Sequence, residues 1–163
     1  MKGSKVKTLA EVVSLANAAR RKGKRIVTTN GCFDILHIGH VRYLEAAKKK
    51  GDILIVGVNS DASVRGSKGP SRPIVPERER AEVIASLKAA DAVFIFPERD
   101  PSKWLSKVKP DIHVKGADWT LDRILEREIV EKGGGRIALI PLEKGKSTTN
   151  IVRKILGEKP KKK

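Results

Sequence analysis

His37 and His40 stand three residues apart around Gly39, closing the stretch Thr28-Thr29-Asn30-Gly31-Cys32-Phe33-Asp34-Ile35-Leu36-His37-Ile38-Gly39-His40. At the start of a helix that spacing turns both imidazoles the same way, so the two rings can donate to one anion together. Gly31 lets the backbone approach a ligand without a side chain in between. The first turn of a helix adds unpaired N–H groups at the positive end of its dipole. Together these features suit a polyphosphate. Taken alone, His-x-x-His is as often a surface turn or half of a metal site. Zinc would need further ligands, and the chain offers only Cys32, His113 and scattered carboxylates, so no resident metal is expected.

The elements that must carry this motif are legible on either side of it. Arg25-Ile26-Val27 reads as a strand, and Val41 to Ala47 has the apolar spacing of a helix that ends near Gly51. Upstream, Thr8-Leu9-Ala10-Glu11 forms a capping box. It opens a helix on Leu9, Val12, Val13, Ala16 and Ala19, which Gly23 ends. Asp52 to Val58 is nearly continuous in apolar residues, as in a strand buried on both faces. Asn59 and Asp61 follow it at the carboxyl end, where such sheets bind ligands; they serve there as turn and cap residues or as substrate contacts. Val64 to Pro76, rich in Gly, Pro and cations, is expected to be a long loop able to fold over a triphosphate.

A helix over 77–89 carries Arg80 in its first turn, against the dipole. Its partner is either a ligand or the neighbouring Glu77 and Glu79. Strands are expected at 92–96, 111–114 and 136–140, with a short helix from Pro101 to Lys107. His113 belongs inside or at the edge of the sheet, and Lys115, Gly116 and Asp118 follow in ligand position. Thr120 is expected to cap a helix through Glu131. Ser147, Thr148 and Thr149 cap the last helix and make a second candidate phosphate site. The alternation predicts an α/β fold: one domain over 8–156, a doubly wound, Rossmann-like parallel sheet. A loose basic lead, 1–7, precedes it and a disordered basic tail, 157–163, follows. Neither Gly-x-Gly-x-x-Gly nor a complete Walker loop is present; Gly145-Lys146-Ser147 imitates only the end of the latter.

Composition narrows the classes. The chain has 163 residues, 39% of them hydrophobic, enough for one real core. A single Cys excludes an internal disulfide framework, and no apolar run approaches the ~20 residues of a membrane span. A cytoplasmic protein with no membrane partner is expected. Net charge +16 invites a nucleic-acid reading, but aromatics are 4% and much of the excess lies at the ends. Steering of small anionic substrates is the reading favoured here.

Asn30-Gly31-Cys32-Phe33-Asp34 with His37-Ile38-Gly39-His40, and Ser147-Thr148-Thr149 near the end, resembles the cytidylyltransferase-like nucleotidyltransferases. Val58-Asn59-Ser60-Asp61, Lys68-Gly69-Pro70, Arg72-Pro73-Ile74 with Arg80, and Val114-Lys115-Gly116-Ala117-Asp118 extend the likeness. In detail the chain is most similar to the heptose 1-phosphate adenylyltransferases, from about Thr8 to Leu156. The resemblance implies attack by a sugar phosphate on the α-phosphorus of a nucleoside triphosphate, ATP being the expected one, with release of pyrophosphate.

It also implies roles. His37, His40 and Lys68 would be catalytic, the histidines steadying the triphosphate. Nucleotide contacts would fall to Asn30, Gly31, Cys32, Phe33, Gly39, Arg80, Lys115, Gly116, Asp118, Ser147, Thr148 and Thr149. Acceptor contacts would fall to Asp34, Asn59 and Asp61. Mg²⁺ would arrive on the nucleotide, and a homo-oligomer is expected. Two departures stand out: the Arg-Thr pair that glycerol-3-phosphate cytidylyltransferases carry before the last motif is missing, and Lys144 replaces an acid usual in the heptose enzymes. Many relatives fuse this domain to a sugar kinase, so a separate kinase is expected to supply the acceptor. The alternatives are glycerol-3-phosphate cytidylyltransferase, FMN adenylyltransferase or, from another class, a basic nucleic-acid-binding protein.

Overall fold

The computed structural model describes residues 4–143 and 145–159. Five parallel strands, β1 (Ile26–Gly31), β2 (Ile53–Asn59), β3 (Ala92–Phe96), β4 (Ile112–Gly116) and β5 (Arg136–Ile140), form one sheet in the order β3-β2-β1-β4-β5. The chain winds outward from β1 through β2 to β3, then returns to β4 on the other side. The switch point therefore lies between β1 and β4, and the crevice at their carboxyl ends is where such a sheet binds ligands.

Among the described residues, seven helices connect and cover the strands: α1 (Leu9–Arg21), α2 (Ile38–Lys48), α3 (Asp61–Lys68), α4 (Glu77–Ser86), α5 (Ser102–Val108), α6 (Arg127–Lys132) and α7 (Thr148–Ile155). The pleat divides the core in two. Val27, Leu54, Val56, Val58 and Val93 face Leu44, Ala81 and Ile84 of α2 and α4. Ile26, Ile55, Ala92, Phe94 and Phe96 face Val12, Ala16, Trp104 and Leu105 of α1 and α5. With both faces covered, β2 has no position left for a polar residue before Asn59 at its carboxyl end, hence its unbroken apolar run. The capping box forms as expected: the Thr8 N–H donates to Glu11 Oε2 at 2.7 Å and the Glu11 N–H to Thr8 Oγ1 at 3.3 Å.

Four expectations change. The expected loop begins as α3, because the Ser60 hydroxyl accepts from the Ser63 N–H and Val64 is fully buried, overriding the poor propensity of its Ser and Gly. The basic lead is not loose from Lys5 on: Val6 bridges to Val93, and the Lys7 N–H donates to the Val93 carbonyl at 2.8 Å. The exposed edge of β3 supplies those partners. Thr120 caps nothing with its side chain; a single 3-10 turn, Leu121–Arg123, precedes a separate α6. Of the tail, residues 157–159 fold back on α7, the Glu158 N–H donating to the Arg153 carbonyl at 2.8 Å. Residues 1–3, 144 and 160–163 lie outside the described residues.

Candidate active site

β1 runs on to Gly31, so the motif begins inside the sheet and turns only at Cys32. The turn is strained: Phe33 and Ile35 both take φ 50°, which a β-branched residue rarely adopts. Asp34, between them, is what holds it. Its carboxylate accepts from the N–H groups of Ile74 (3.0 Å) and Val75 (3.0 Å) and pairs with Arg72 Nε at 2.7 Å. Its carbonyl accepts from the Thr148 hydroxyl at 2.6 Å. Burial would raise the Asp34 pKa, but the Val75 and Ile74 N–H groups and Arg72 outweigh it and keep the carboxylate ionised. Asp34, the residue expected to meet the acceptor, lines the cleft and also clasps together the motif, the loop after α3 and the start of α7.

His37 caps α2, its Nδ1 accepting from the Gly39 N–H at 3.1 Å. That bond leaves the proton of the neutral ring on Nε2, which becomes a donor. A Cβ on Gly39 would lie 2.9 Å from the His37 ring, so only glycine fits between the histidines. His40 sits in the first turn, stacked on His37 with centroids 3.9 Å apart and braced edge-on by Phe33 at 5.5 Å. Its Nδ1 is buried without a partner. Burial, with His37 and Lys68 nearby, pushes the His40 pKa down to about 4; burial and Lys146 lower that of His37. At neutral pH both rings are uncharged N–H donors.

This fixes a pH dependence. The unfolded chain protonates at the ordinary 6.5 and the folded one near 4, so the stability contributed by neutral His40 is full above pH 6.5 and declines as pH falls. In NMR titration of the free protein, the His40 ring is expected to stay neutral to about pH 4, and inorganic tripolyphosphate to raise its pKa. Titration at the ordinary value would contradict the arrangement.

Beside the rings opens a cleft of about 750 Å³. Asn30, Gly31, Cys32 and Phe33 line it from β1 and the turn, Asn59 from the end of β2, and Lys68 from α3. Lys115, Gly116 and Asp118 line it from β4, and Ser147, Thr148 and Thr149 from the start of α7. Two expected residues are elsewhere. Arg80 is 1% exposed and its fork is used up: Nε donates to the Val75 carbonyl (2.9 Å), Nη2 to the Asn59 carbonyl (2.8 Å) and Asp61 (2.7 Å), and Nη1 to the Cys32 carbonyl. Asp61 is therefore its counter-ion, in place of Glu77 or Glu79, and neither residue lines the cleft. Ser147 is also the cap of α7, accepting from the Asn150 N–H at 3.1 Å.

Sequence reasoning missed Arg72, Tyr43, Trp119 and Lys146 as site residues, all of them on the cleft wall. Tyr43 was readable, being one turn beyond His40; its hydroxyl lies 2.8 Å from Thr29 Oγ1. Lys146 was hidden in the incomplete Walker imitation. Trp119 carried no signal beyond its place after Asp118. Among the described residues no group of three or more His, Cys, Asp or Glu could hold a metal.

A family model described as cytidylyltransferase-like matches residues 28–154. The bifunctional protein HldE of Trichlorobacter lovleyi is 49% identical over 153 residues, 94% of this chain and 31% of that protein. That of Syntrophotalea carbinolica is 47% identical over the same length, with the same coverage of each. The chain thus spans 31% of the length of these relatives. The crystal structure of a lipopolysaccharide core biosynthesis protein from Thermoplasma volcanium matches with TM-score 0.64 and 35% identity, over 76% of this chain and 100% of that one. Pantoate-beta-alanine ligase from Francisella tularensis matches with TM-score 0.60 at 16% identity, covering 90% of this chain and 75% of that one, a likeness of fold alone.

Proposed function

The chain belongs to the cytidylyltransferase-like family and is a nucleotidyltransferase, and from that premise we propose that it transfers the adenylyl group of ATP to a heptose 1-phosphate. A phosphate oxygen of the sugar attacks the α-phosphorus in line, the α–β bridging bond breaks, and pyrophosphate departs. Such a reaction asks the protein chiefly for positioning and for donors where charge grows. The observation that carries the reading is the stacked, neutral pair His37 and His40 at the start of α2, open to a cleft where two of the four described lining cations are left unbalanced. Those cations, Lys68 and Lys146, have no ion-pair partner among the described residues.

In this reading the two imidazole N–H groups donate to the triphosphate as its charge shifts toward the β-phosphate. Lys68, Lys146, Ser147 and Thr149 take the leaving pyrophosphate, and the amides of Gly31 and Phe33 line the phosphates. Mg²⁺ enters as part of the nucleotide substrate, since Asp34 is engaged by Arg72 and two N–H groups. The acceptor lies beside Asn59 and Arg72. Heptose as the sugar is supported by the likeness to the HldE proteins.

The test is pyrophosphate release with ATP or CTP against heptose 1-phosphate, glycerol 3-phosphate and FMN. Turnover is expected with ATP and heptose 1-phosphate. Preference for CTP with glycerol phosphate, or for FMN, would contradict the substrate assignment. Retention of DNA or RNA without any turnover would contradict the enzymatic reading.

A further inference from the structure

His113 and Lys115 are two apart on β4, so the pleat turns both toward one face of the sheet. There Trp104 meets His113 edge-on, with centroids 6.0 Å apart. Glu126, immediately before α6, reaches the same place: its Oε1 lies 2.7 Å from Lys115 Nζ and 3.5 Å from His113 Nε2. His113 Nδ1 in turn lies 2.8 Å from the Thr28 hydroxyl. A neutral imidazole accepts from the Thr28 hydroxyl through Nδ1, while its buried Nε2 faces Glu126 at 3.5 Å without forming a hydrogen bond, and burial lowers the His113 pKa to keep it neutral. Burial would raise the Glu126 carboxyl, but His113 and Lys115 outweigh it and hold it at about 2. One buried carboxylate thus faces one ammonium before any ligand arrives.

Lys115 lines the cleft, whereas Glu126 does not. The ammonium is also fixed 5.1 Å from the ring centroid of Trp119, itself on the cleft wall. The cleft is therefore divided electrically. Its α2 end holds Lys68 and Lys146, which no carboxylate among the described residues balances. Its β4 end offers a donor whose charge is already cancelled, an aromatic ring and Asp118. A polyphosphate seeks unbalanced charge, while a base or a ribose asks for donors, acceptors and an apolar face.

We propose that Glu126 is a positioning residue that fixes Lys115 and cancels its charge, so that the β4 end takes the nucleoside and the polyphosphate is confined to the α2 end. This rests on the reading that the cleft binds a nucleoside triphosphate. Glu126→Gln frees the ammonium, lets it swing and gives polyphosphate a second, unproductive seat. KM for ATP is expected to rise about tenfold, with kcat within about twofold. Inhibition by inorganic tripolyphosphate should tighten about fivefold. Adding Lys115→Met should return the tripolyphosphate inhibition to the wild-type value while KM stays high.

An unchanged KM, or a loss of kcat and melting temperature with tripolyphosphate inhibition unmoved, would overturn the proposal. Should Glu126→Gln fail to fold, the double variant, which leaves neither charge buried alone, decides. A raised KM with wild-type tripolyphosphate inhibition supports the role, and a wild-type KM overturns it. Wild-type protein that binds no ATP by calorimetry would instead overturn the nucleotidyltransferase reading on which the proposal stands.

Discussion

Replacing His40 with alanine is expected to lower kcat by about 10²–10³-fold. The ring occupies the first turn of α2, stacked on His37 and braced by Phe33, so its orientation is set before substrate binds. Its pKa near 4 makes it a neutral donor at working pH, one that gains most when charge grows on the phosphate opposite. The loss should therefore appear in kcat more than in KM. Stability should hardly change: the variant loses ring packing but also removes a buried Nδ1 that has no partner, terms of about 1 kcal/mol each with opposite sign. Steady-state kinetics beside a thermal melt separates the two. Wild-type kcat in a folded His40→Ala protein would remove this ring from the mechanism.

Arg80→Ala should fail differently, through the fold. Removing the guanidinium, itself 1% exposed, leaves the part-buried Asp61 carboxylate and the carbonyls of Cys32, Asn59 and Val75 without their donor. Breaking such a buried pair costs about 3–5 kcal/mol. A domain of this size should then melt roughly 10 °C lower. Arg80→Lys should rescue little, because one ammonium cannot span acceptors on three segments. Were Arg80 a pyrophosphate ligand, as its place in the first turn of a helix suggests, the alanine variant would keep its melting temperature and lose only nucleotide affinity. The melt distinguishes these outcomes directly.

Arg80 also illustrates where sequence reasoning stops. The dipole argument was sound in demanding a partner, but that partner, Asp61, lies 19 residues away and was read as a turn residue or an acceptor contact. Asp34 is similar: its place in the motif marked it as functional, yet its hold on Thr148 spans 114 residues. Local patterns carried what depends on local physics. The capping box, the buried run of β2, the histidines on one helix start and the hydroxyls at α7 all needed only neighbours in sequence. The pairing of Val6 with the β3 edge and the Glu126–Lys115 contact depended on the tertiary arrangement, which periodicity does not encode. The cleft was legible because parallel strands place their carboxyl ends together, so residues after β1, β2 and β4 converge without any contact having to be foreseen.

The central claim is displacement at the α-phosphorus of a nucleotide held beside His37 and His40. Phosphorus-31 NMR of the wild-type protein with Mg·ATP and heptose 1-phosphate reads it directly. The account predicts loss of the three ATP resonances with equal growth of pyrophosphate and of a new sugar-linked diphosphate. Appearance of ADP or orthophosphate in their place, or an unchanged ATP spectrum, would contradict it.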